Sequence, residues 1–254
     1  FLLRTSILTS LCGPLCEYVV EPFQKVPDAR ELLHTLYHSN LFLDSMDPGE
    51  RWFRYHPVFS RALRHLLGEK FPDEISTLYA RASDWYYQNT LYEDAMTYAA
   101  DIDDRQLQLD LLEKYSIEAI RHNRILDILG IVRRLEESLL SASPVLSLIY
   151  SWGYFLSFDV DIGEIWVNRA RELLNKPGSA SRYHAVENAM EGMLSAMESL
   201  LAASRGEREK ALELSEKALQ FLPAENDFSH SFALLNRGIA LSINGEVNQA
   251  IQAL

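Results

Sequence analysis

The sequence predicts a mostly α-helical protein in two parts, and two patterns carry that prediction. Near the C-terminal end, small residues recur at a fixed spacing, first as Gly206-x4-Ala211 and then, 39 positions later, as Gly245-x4-Ala250. In the first quarter, helical stretches flank two short aromatic and apolar runs that are joined by a turn. The first pattern is typical of stacked helical repeats, and the second of a hairpin wing. We therefore predict a small winged-helix module at residues 1–71, followed at residues 72–254 by an α-α superhelix of tetratricopeptide-like helical hairpins.

The N-terminal module begins with two predicted helices, at residues 5–11 and 28–38. The second starts at Asp28, a residue type that caps helices, and its leucines fall on one face. These leucines are Leu32, Leu33 and Leu36.

A hairpin and a closing helix complete the predicted module. Residues 41–43 and 52–55 are aromatic and apolar, and the turn-forming sequence Asp47-Pro48-Gly49-Glu50 lies between them. Pro57 then begins a helix that extends to about residue 67. We expect its inward-facing residues to be Val58, Leu63 and Leu66.

The remaining sequence predicts pairs of helices separated by short turns. Gly206 and Gly245 stand where one helix ends and the next begins, which favours a residue that tolerates positive φ. Ala211 and Ala218 lie two helical turns apart, so they share a face and allow close approach of a partner helix. Thr90-x4-Ala95 repeats the spacing with threonine in place of glycine. The predicted pairs are 73–88 with 91–101, 104–115 with 124–136, 144–157 with 162–174, 181–204 with 207–220, and 227–243 with 246–254. An ordinary helical hairpin with glycine in its loop is the alternative.

Composition and charge limit the function classes. The chain has 254 residues, of which 48% are hydrophobic and 24% charged, as in a folded globular protein. Its net charge is −12, with −2 on residues 1–75 and −10 on the rest. Because phosphate contacts dominate affinity for nucleic acids, an acidic repeat region disfavours DNA binding. We expect no signal peptide in the first residues, because Arg4 interrupts their apolar run. We take the uncharged run at 138–158 for a buried helix rather than a membrane span. We expect a cytoplasmic protein.

Motifs for catalysis or metal binding are weak in the sequence. Cys12 and Cys16 form one C-x3-C pair, which we interpret as buried thiols. His34 and His38 are four residues apart on a predicted helix, but the sequence shows no third ligand, so we predict no metal site. No paired nucleophile and base is evident, and we expect no catalysis within this chain.

An aromatic cluster is the strongest candidate for a ligand or partner surface. Tyr150, Trp152 and Tyr154 lie along one predicted helix, and Trp166 lies on the next. Aromatic residues are enriched in ligand clefts and interface hot spots. Packing in the core of a helical pair is the alternative.

Several segments resemble a known family of regulators. Phe1-Leu2-Leu3-Arg4-Thr5-Ser6-Ile7-Leu8 with Pro14-Leu15-Cys16 resembles the opening of the winged-helix segment in large ATP-dependent LuxR-type transcriptional regulators, the group that includes the maltose-operon activator. Asn40-Leu41-Phe42-Leu43 and Trp52-Phe53-Arg54-Tyr55-His56-Pro57-Val58-Phe59 resemble the same segment's hairpin and closing helix. Arg81-Ala82-Ser83-Asp84-Trp85-Tyr86 with Glu93-Asp94-Ala95 is similar to the start of the family's helical sensor region, and Pro144-x-Leu146 with Trp152 matches a pattern further on.

The resemblance implies a place for this chain within a larger protein. Family members combine a nucleotide-binding ATPase of the STAND class, a winged helix, a repeat sensor for an inducer or inhibitor, and a C-terminal helix-turn-helix. The chain matches the middle parts and contains no G-x-x-x-x-G-K-[ST] phosphate loop. The missing initiator Met and an end within a predicted repeat helix also suggest a piece of a longer protein. ATP or ADP is therefore expected in the full-length protein, with no cofactor held by this chain alone.

The resemblance also gives His56 a role. In related STAND ATPases, a histidine at the start of the last winged-helix helix contacts the β-phosphate of the nucleotide, and Arg54-Tyr55-His56-Pro57 resembles that motif. Family members often have Asp after this histidine, whereas this chain has Pro57. Capping or packing at a helix start is the alternative role for His56.

We expect the chain to receive a small-molecule inducer or a regulatory protein on its repeats and to pass that state to the ATPase domain of the same polypeptide. No membrane contact and no direct nucleic-acid contact are expected of this segment, and self-association is left open. Two other functions compete with this expectation. They are a scaffolding repeat adaptor without a transcriptional role and an all-helical hydrolase or lyase with clustered carboxylates in a deep pocket.

Overall fold

A computed structural model describes residues 1–157, 159–177, 183–222 and 227–243 of the chain. It forms two compact units, Phe1–Leu111 and Leu112–Leu254. Each unit is described by itself below.

The first unit contains a short hairpin among helices, followed by one pair of helices. Its elements are α1 (Leu2–Thr5), α2 (Gly13–Val20), α3 (Ala29–His38), β1 (Leu43–Ser45), β2 (Phe53–Tyr55), α4 (Pro57–Lys70), α5 (Ile75–Gln88) and α6 (Tyr92–Ala100). A single 3-10 turn, Pro72–Glu74, precedes α5. The helix α7 (Arg105–Arg121) contains the boundary between the units.

In the second unit, the described residues outside turns and connections are helical. They form α8 (Ile125–Val132), α9 (Glu137–Leu140), α10 (Pro144–Leu156), α11 (Val160–Leu174), α12 (Glu187–Ser204), α13 (Arg208–Phe221) and α14 (Asp227–Ile243). A 3-10 turn, His184–Val186, leads into α12.

The predicted hairpin is present, and a third segment joins it. β1 and β2 pair antiparallel, with Leu43 opposite Tyr55. Leu11 forms an isolated bridge with Phe53, in which their backbone N–H groups donate to each other's carbonyls at 2.7 and 2.8 Å. The prediction of a helix at 5–11 was therefore wrong, because α1 ends at Thr5 and Leu11 is used for strand pairing. The Ser6 hydroxyl donates to the Leu3 carbonyl at 2.6 Å, the kind of side-chain bond that competes with helix propagation.

One helix of the module was not predicted. α2 begins after Cys12 and carries Pro14 in its first turn, where proline costs no hydrogen bond. Cys12 and Cys16 are buried free thiols, as predicted. A Cβ at Gly13 would lie 2.9 Å from the Arg30 Cβ, so glycine is needed where α2 meets α3.

The two neighbouring helices have the starts that the sequence predicts. The Asp28 carboxylate caps α3 by accepting the Glu31 N–H at 2.8 Å. In α4, Leu63 and Leu67 are buried, but Val58 is 61% and Leu66 38% exposed. The inward orientation predicted for Val58 and Leu66 was therefore wrong, since the buried face of α4 follows the four-residue step from Leu63 to Leu67.

The first pair of repeat helices packs on the winged-helix module within the first unit. Arg4 makes two bonds to the Glu74 carboxylate, at 2.7 and 2.9 Å. The Thr9 N–H donates to the Tyr98 hydroxyl at 2.8 Å, and Tyr18 donates to Asp84 at 2.6 Å. The first compact unit therefore includes α5 and α6 together with the winged-helix module, and the boundary expected after residue 71 stays a prediction.

The hairpin turns repeat one backbone motif. Thr90, Asn123 and Gly206 have φ of 62°, 52° and 75°, the left-handed conformation in which a helix ends with a Schellman motif. At each, the next residue's N–H donates to the carbonyl five positions earlier, as Glu207 does to Ala202 at 2.9 Å. The positive φ predicted from Gly206 is confirmed, and Thr90 occupies the equivalent place.

Buried serines mark the same position in four hairpins. Ser83 donates to the Ala95 carbonyl at 2.7 Å, and Ser199 donates to the Ala211 carbonyl at 2.7 Å, twelve residues on in both cases. Ser116 and Ser151 are also fully buried and occupy the equivalent positions of their helices. In each of these four hairpins, the second helix therefore begins at the same distance along the chain from the buried serine of the first.

The fold class is confirmed: the protein is mostly α-helical, with a winged-helix module followed by antiparallel helical hairpins. The run at 138–158 includes α10, ten of whose residues are buried. In the ranges that the structure describes, no helix combines the length and apolarity needed to cross a bilayer. Gly245, Ala250 and the helix predicted at 246–254 lie outside the described residues.

Candidate functional site

Three of the four predicted aromatic residues lie together at the surface of the α10–α11 hairpin. Tyr150 and Tyr154 are one turn apart on α10, and their hydroxyl oxygens are 3.1 Å apart. The Trp166 ring on α11 lies edge-on to Tyr150, with ring centroids 4.9 Å apart. All three side chains are half-buried. We name this group, Tyr150, Tyr154 and Trp166, the aromatic cluster.

Trp152 does not belong to that surface. It is 0% exposed and packs against Phe232 on α14, with ring centroids 4.8 Å apart. Two residues along a helix turn a side chain by about 200°, so Trp152 faces away from Tyr150 and Tyr154. Its assignment to the ligand surface is corrected to a place in the core of the second unit.

A cavity of about 350 Å³ adjoins the cluster, within the range of small-molecule sites. Trp166 and Ile165, which is 64% exposed, give it an apolar wall. Arg169 on the same wall donates to the Ser141 carbonyl at 3.0 and 2.8 Å and to Glu172 at 2.9 Å. The guanidinium is therefore held in place by α11 and the residues that precede α10.

The Tyr150 hydroxyl of the cluster remains protonated at neutral pH. The hydrogen bond with Tyr154, together with burial, raises the pKa of Tyr150 to about 12. Neutral hydroxyls can both donate and accept hydrogen bonds, and the rings supply apolar faces. The cluster can therefore bind an uncharged ligand, or a peptide segment, that has both apolar and hydrogen-bonding surface.

His56 lies at the start of α4, as predicted. Its carbonyl accepts the Ser60 N–H at 2.9 Å and its own N–H donates to the Phe42 carbonyl at 2.8 Å. The imidazole is exposed and makes no capping bond to the helix. The side chain therefore does not cap α4, and its ring is accessible at a helix N-terminus, a place that favours anions. Packing at the helix start and contact with a nucleotide both stay open as its role.

Exposed apolar residues surround His56. Phe42 and Val58 are each 61% exposed, and the Phe42 ring stacks on Phe59 with centroids 5.1 Å apart. Phe42 also has φ of 53°, which is uncommon for a bulky residue. These residues were part of the resemblance, but sequence patterns alone predicted Val58 in the core.

One residue that contacts two histidines was not singled out from the sequence. Glu50, in the hairpin turn, lies against both His34 and His38 of α3. The sequence gives no helical or strand spacing that would link residue 50 to residue 34, because a turn separates them. The one available signal was the acidic residue at the tip of the predicted hairpin.

Comparisons with known proteins agree with the resemblance. Residues 1–75 match the family model described as the MalT winged helix domain. The HTH-type transcriptional regulator MalT of Vibrio parahaemolyticus is 24% identical over 256 residues, covering 100% of this chain and 26% of that protein. MalT of Yersinia enterocolitica is 25% identical over 250 residues, covering 98% of this chain and 26% of its own length. These matches confirm the resemblance to maltose-activator-like regulators.

A second kind of relative shares part of the chain. The serine/threonine-protein kinase PknK of Mycobacterium tuberculosis is 26% identical over 156 residues, covering 61% of this chain and 14% of the kinase. The chain thus spans about a quarter of the length of its MalT relatives and less of the kinase. No solved structure matches the chain significantly.

Proposed function

We propose that this chain is the signal-sensing and protein-interaction region of a MalT-like transcriptional regulator. In this proposal, an inducer or a regulatory protein binds the repeats, and the winged-helix module passes that state to an ATPase domain of the same polypeptide. The observation that carries the proposal is the aromatic cluster beside its cavity, on a helical-repeat unit. Similarity to MalT regulators along the whole chain supports a regulatory role.

The kinase relative supports a sensing role rather than an output role. A similar segment is found in proteins with different outputs, an HTH-type transcriptional regulator and a serine/threonine-protein kinase. A segment shared by both is better explained as an input or coupling part than as the part that binds DNA or transfers phosphate. We therefore expect no catalysis by this chain. We expect a different part of the polypeptide to bind DNA, and the whole protein to lie in the cytoplasm.

The occupant proposed for the cluster follows from its chemistry. Tyr150 and Tyr154 offer hydroxyl groups for hydrogen bonding. Trp166 and Ile165 offer apolar surface next to a cavity large enough for a small molecule. A ligand can switch the protein only through different affinities for its two states. The cluster must therefore bind the inducer or partner more tightly in one state than in the other.

His56 is proposed to report the nucleotide. It is exposed at the N-terminus of the 14-residue helix α4, beside the exposed Phe42 and Val58. An imidazole there can donate a hydrogen bond to a phosphate, while the apolar residues pack on the ATPase domain. ATP or ADP would be held mainly by that domain, outside this chain.

The test of ligand sensing compares two tryptophans, Trp166, which is half-buried at the surface, and Trp152, which is fully buried. The chain is labelled with 5-fluorotryptophan and titrated with the small-molecule extract of its source cells. We expect the fluorine resonance of Trp166 to shift and that of the buried Trp152 to stay in place. The replacement Trp166→Ala, but not Tyr92→Ala in the first unit, should then abolish the extract's effect on ADP release from the full-length polypeptide. No Trp166 shift with the extract or with a purified partner protein would refute the proposed surface.

A separate experiment tests His56. In the full-length polypeptide, His56→Ala should weaken ADP binding and change switching, because it removes a donor to the phosphate. The control is His65→Ala, which changes an exposed histidine on the same helix. Normal ADP affinity and normal switching in the His56 variant would leave that residue without the proposed role.

A scaffolding adaptor is the second candidate function, favoured by the helical-repeat unit itself. An adaptor would bind a partner protein with no effect on nucleotide. Partner binding that leaves the rate of ADP release unchanged would therefore select the adaptor.

A further inference from the structure

We infer that His34, His38 and Glu50 form a zinc-binding site that joins α3 to the tip of the β1–β2 hairpin. One oxygen of the Glu50 carboxylate lies 3.1 Å from His34 Nδ1 and 3.2 Å from His38 Nε2. One ligand atom from each of the three residues lies within 4.8 Å of the others. In the part of the chain that the structure describes, no other group of three His, Cys, Asp or Glu side chains has ligand atoms spaced to hold a metal ion.

The spacing fits the coordination geometry of zinc. Zinc–nitrogen and zinc–oxygen bonds of about 2.0–2.1 Å, at a tetrahedral angle, place neighbouring ligand atoms roughly 3.3 Å apart. The two nitrogen–oxygen distances in the structure, 3.1 and 3.2 Å, are close to that value, and the two histidine nitrogens lie within 4.8 Å of each other. Small side-chain rotations therefore bring all three atoms onto one ion. The fourth position is left for water, as in other sites with three protein ligands.

Backbone structure holds two of the ligands on one face of α3. His34 and His38 are one helical turn apart, and their rings are stacked with centroids 6.2 Å apart. The His34 ring also packs edge-on against the buried Phe53, at 5.5 Å. Tyr37 packs beside His38 at 5.1 Å. Contacts of this kind orient ligands and shield a metal.

The hairpin turn presents the third ligand in an unusual conformation. Glu50 has φ of 47°, although Gly49 is next to it and could adopt that conformation without strain. The Asp47 carboxylate closes the turn by accepting the N–H groups of Arg51 and Trp52 at 2.9 and 2.7 Å. Strained backbone conformations concentrate at functional sites, and here the conformation brings the Glu50 carboxylate to α3.

The donor set selects the kind of metal. Two imidazoles and one carboxylate suit zinc better than magnesium or calcium, which prefer oxygen ligands. Cys12 and Cys16 do not compete for the ion, because both are buried and burial raises the pKa of their thiols. A zinc ion here would tie the turn of the hairpin to α3 and restrict the motion of the wing.

The test is calorimetric titration of the chelator-treated chain with zinc chloride. We expect one saturable site per chain. Glu50→Gln keeps the size of the side chain but removes its charge, and His38→Ala changes a side chain that is 65% exposed. Each should weaken zinc binding by about tenfold or more, since even partners outside the coordination shell contribute that much. Circular dichroism checks that both variants fold.

Matched controls separate this site from zinc binding by any histidine. His65 pairs with Glu69 at 3.4 Å, so this pair offers two metal ligands and not three. His65→Ala should therefore leave the affinity for zinc unchanged. Cobalt(II) should give the intense visible bands of a four-coordinate ion with the unaltered chain and lose them in Glu50→Gln. Absence of saturable binding, or equal affinity in the unaltered, Glu50→Gln and His38→Ala chains, would show that the three side chains form only a hydrogen-bonded group.

Discussion

The packing between α10 and α11 gives the sharpest stability prediction. Gly163 in the first turn of α11 lies against the ring of Phe155, which is 1% exposed. A Cβ at residue 163 would be 2.7 Å from Phe155 Cε2 and 2.9 Å from Cδ2. Favourable carbon–carbon contacts occur at about 3.5–4.0 Å. Gly163→Ala therefore requires the ring or the helix to move by most of an ångström.

The net effect follows from two opposing contributions. Overpacking a core costs about 1–3 kcal/mol, while exchanging glycine for alanine within a helix gains about 0.5–1 kcal/mol. We expect Gly163→Ala to lower the free energy of unfolding by about 1 kcal/mol. Gly130 on α8 is the control, because a Cβ there would have no atom within 4 Å. Gly130→Ala should raise stability by about 0.5–1 kcal/mol.

Urea unfolding followed by circular dichroism measures both variants, and hydrogen exchange of α10 reports the hairpin itself. The expected difference between the two substitutions is about 2 kcal/mol, or a separation of roughly 4–8 °C in melting temperature for a domain of about 150–250 residues. If the same Gly→Ala substitution lowers the free energy of unfolding at residue 163 and raises it at residue 130, the two helices are in contact at Gly163. A Gly163→Ala chain as stable as the Gly130→Ala chain would refute the close approach.

Three further predictions concern the repeat motif and the ion pairs. Ser199→Ala should lower the free energy of unfolding by about 1 kcal/mol, measured with urea, because it removes a buried hydrogen bond. Ser116→Ala should leave that free energy unchanged or raise it, because the Ser116 hydroxyl is buried with no hydrogen-bond partner in the structure. Thr90→Gly should stabilise the first unit by up to about 1 kcal/mol, measured by thermal melting, because threonine is held at φ of 62°; a loss of stability would contradict the strain. Burial alone would raise the pKa of Glu191, but bonds from Arg171 and Lys217 outweigh it and lower that pKa below its usual 4.5. The stabilisation is thus present above pH 4.5 and is lost as the pH falls through the lower value, so Glu191→Gln should cost about 1–2 kcal/mol at pH 7 and progressively less in acid.

Sequence patterns predicted the parts of the fold that depend on local chemistry. The cap predicted for α3, at Asp28, is present with a bond of 2.8 Å. The α14 bounds and most other repeat-helix bounds agree within a few residues. Long-range pairing was not predictable from local signals. Leu11 leaves the helical pattern because it bridges to Phe53, 42 positions away.

The candidate site was predicted in composition but not in orientation. Aromatic residues at 150, 152 and 154 look equivalent in the sequence, yet helical geometry divides them between a surface and the core. Glu50 could not be linked to His34 and His38, since the spacing across a hairpin depends on the tertiary fold. The ligand surface and the nucleotide role of His56 therefore stay predictions that await the experiments above.

The repeat motif itself gives a reason to expect function at the α10–α11 hairpin. At the equivalent positions of two other hairpins, a buried serine donates to the carbonyl of a following alanine. In α10, Ser151 instead bonds the Leu148 carbonyl and the Met197 sulfur, and Phe155 fills the space beside Gly163. Natural proteins tend to depart from their own local rules at functional sites. Two of the four hairpins depart from this bond: α7–α8, where the Ser116 hydroxyl has no hydrogen-bond partner in the structure, and α10–α11. The α10–α11 departure occurs beside the aromatic cluster and its cavity, and we therefore propose that this change in packing serves the proposed binding surface.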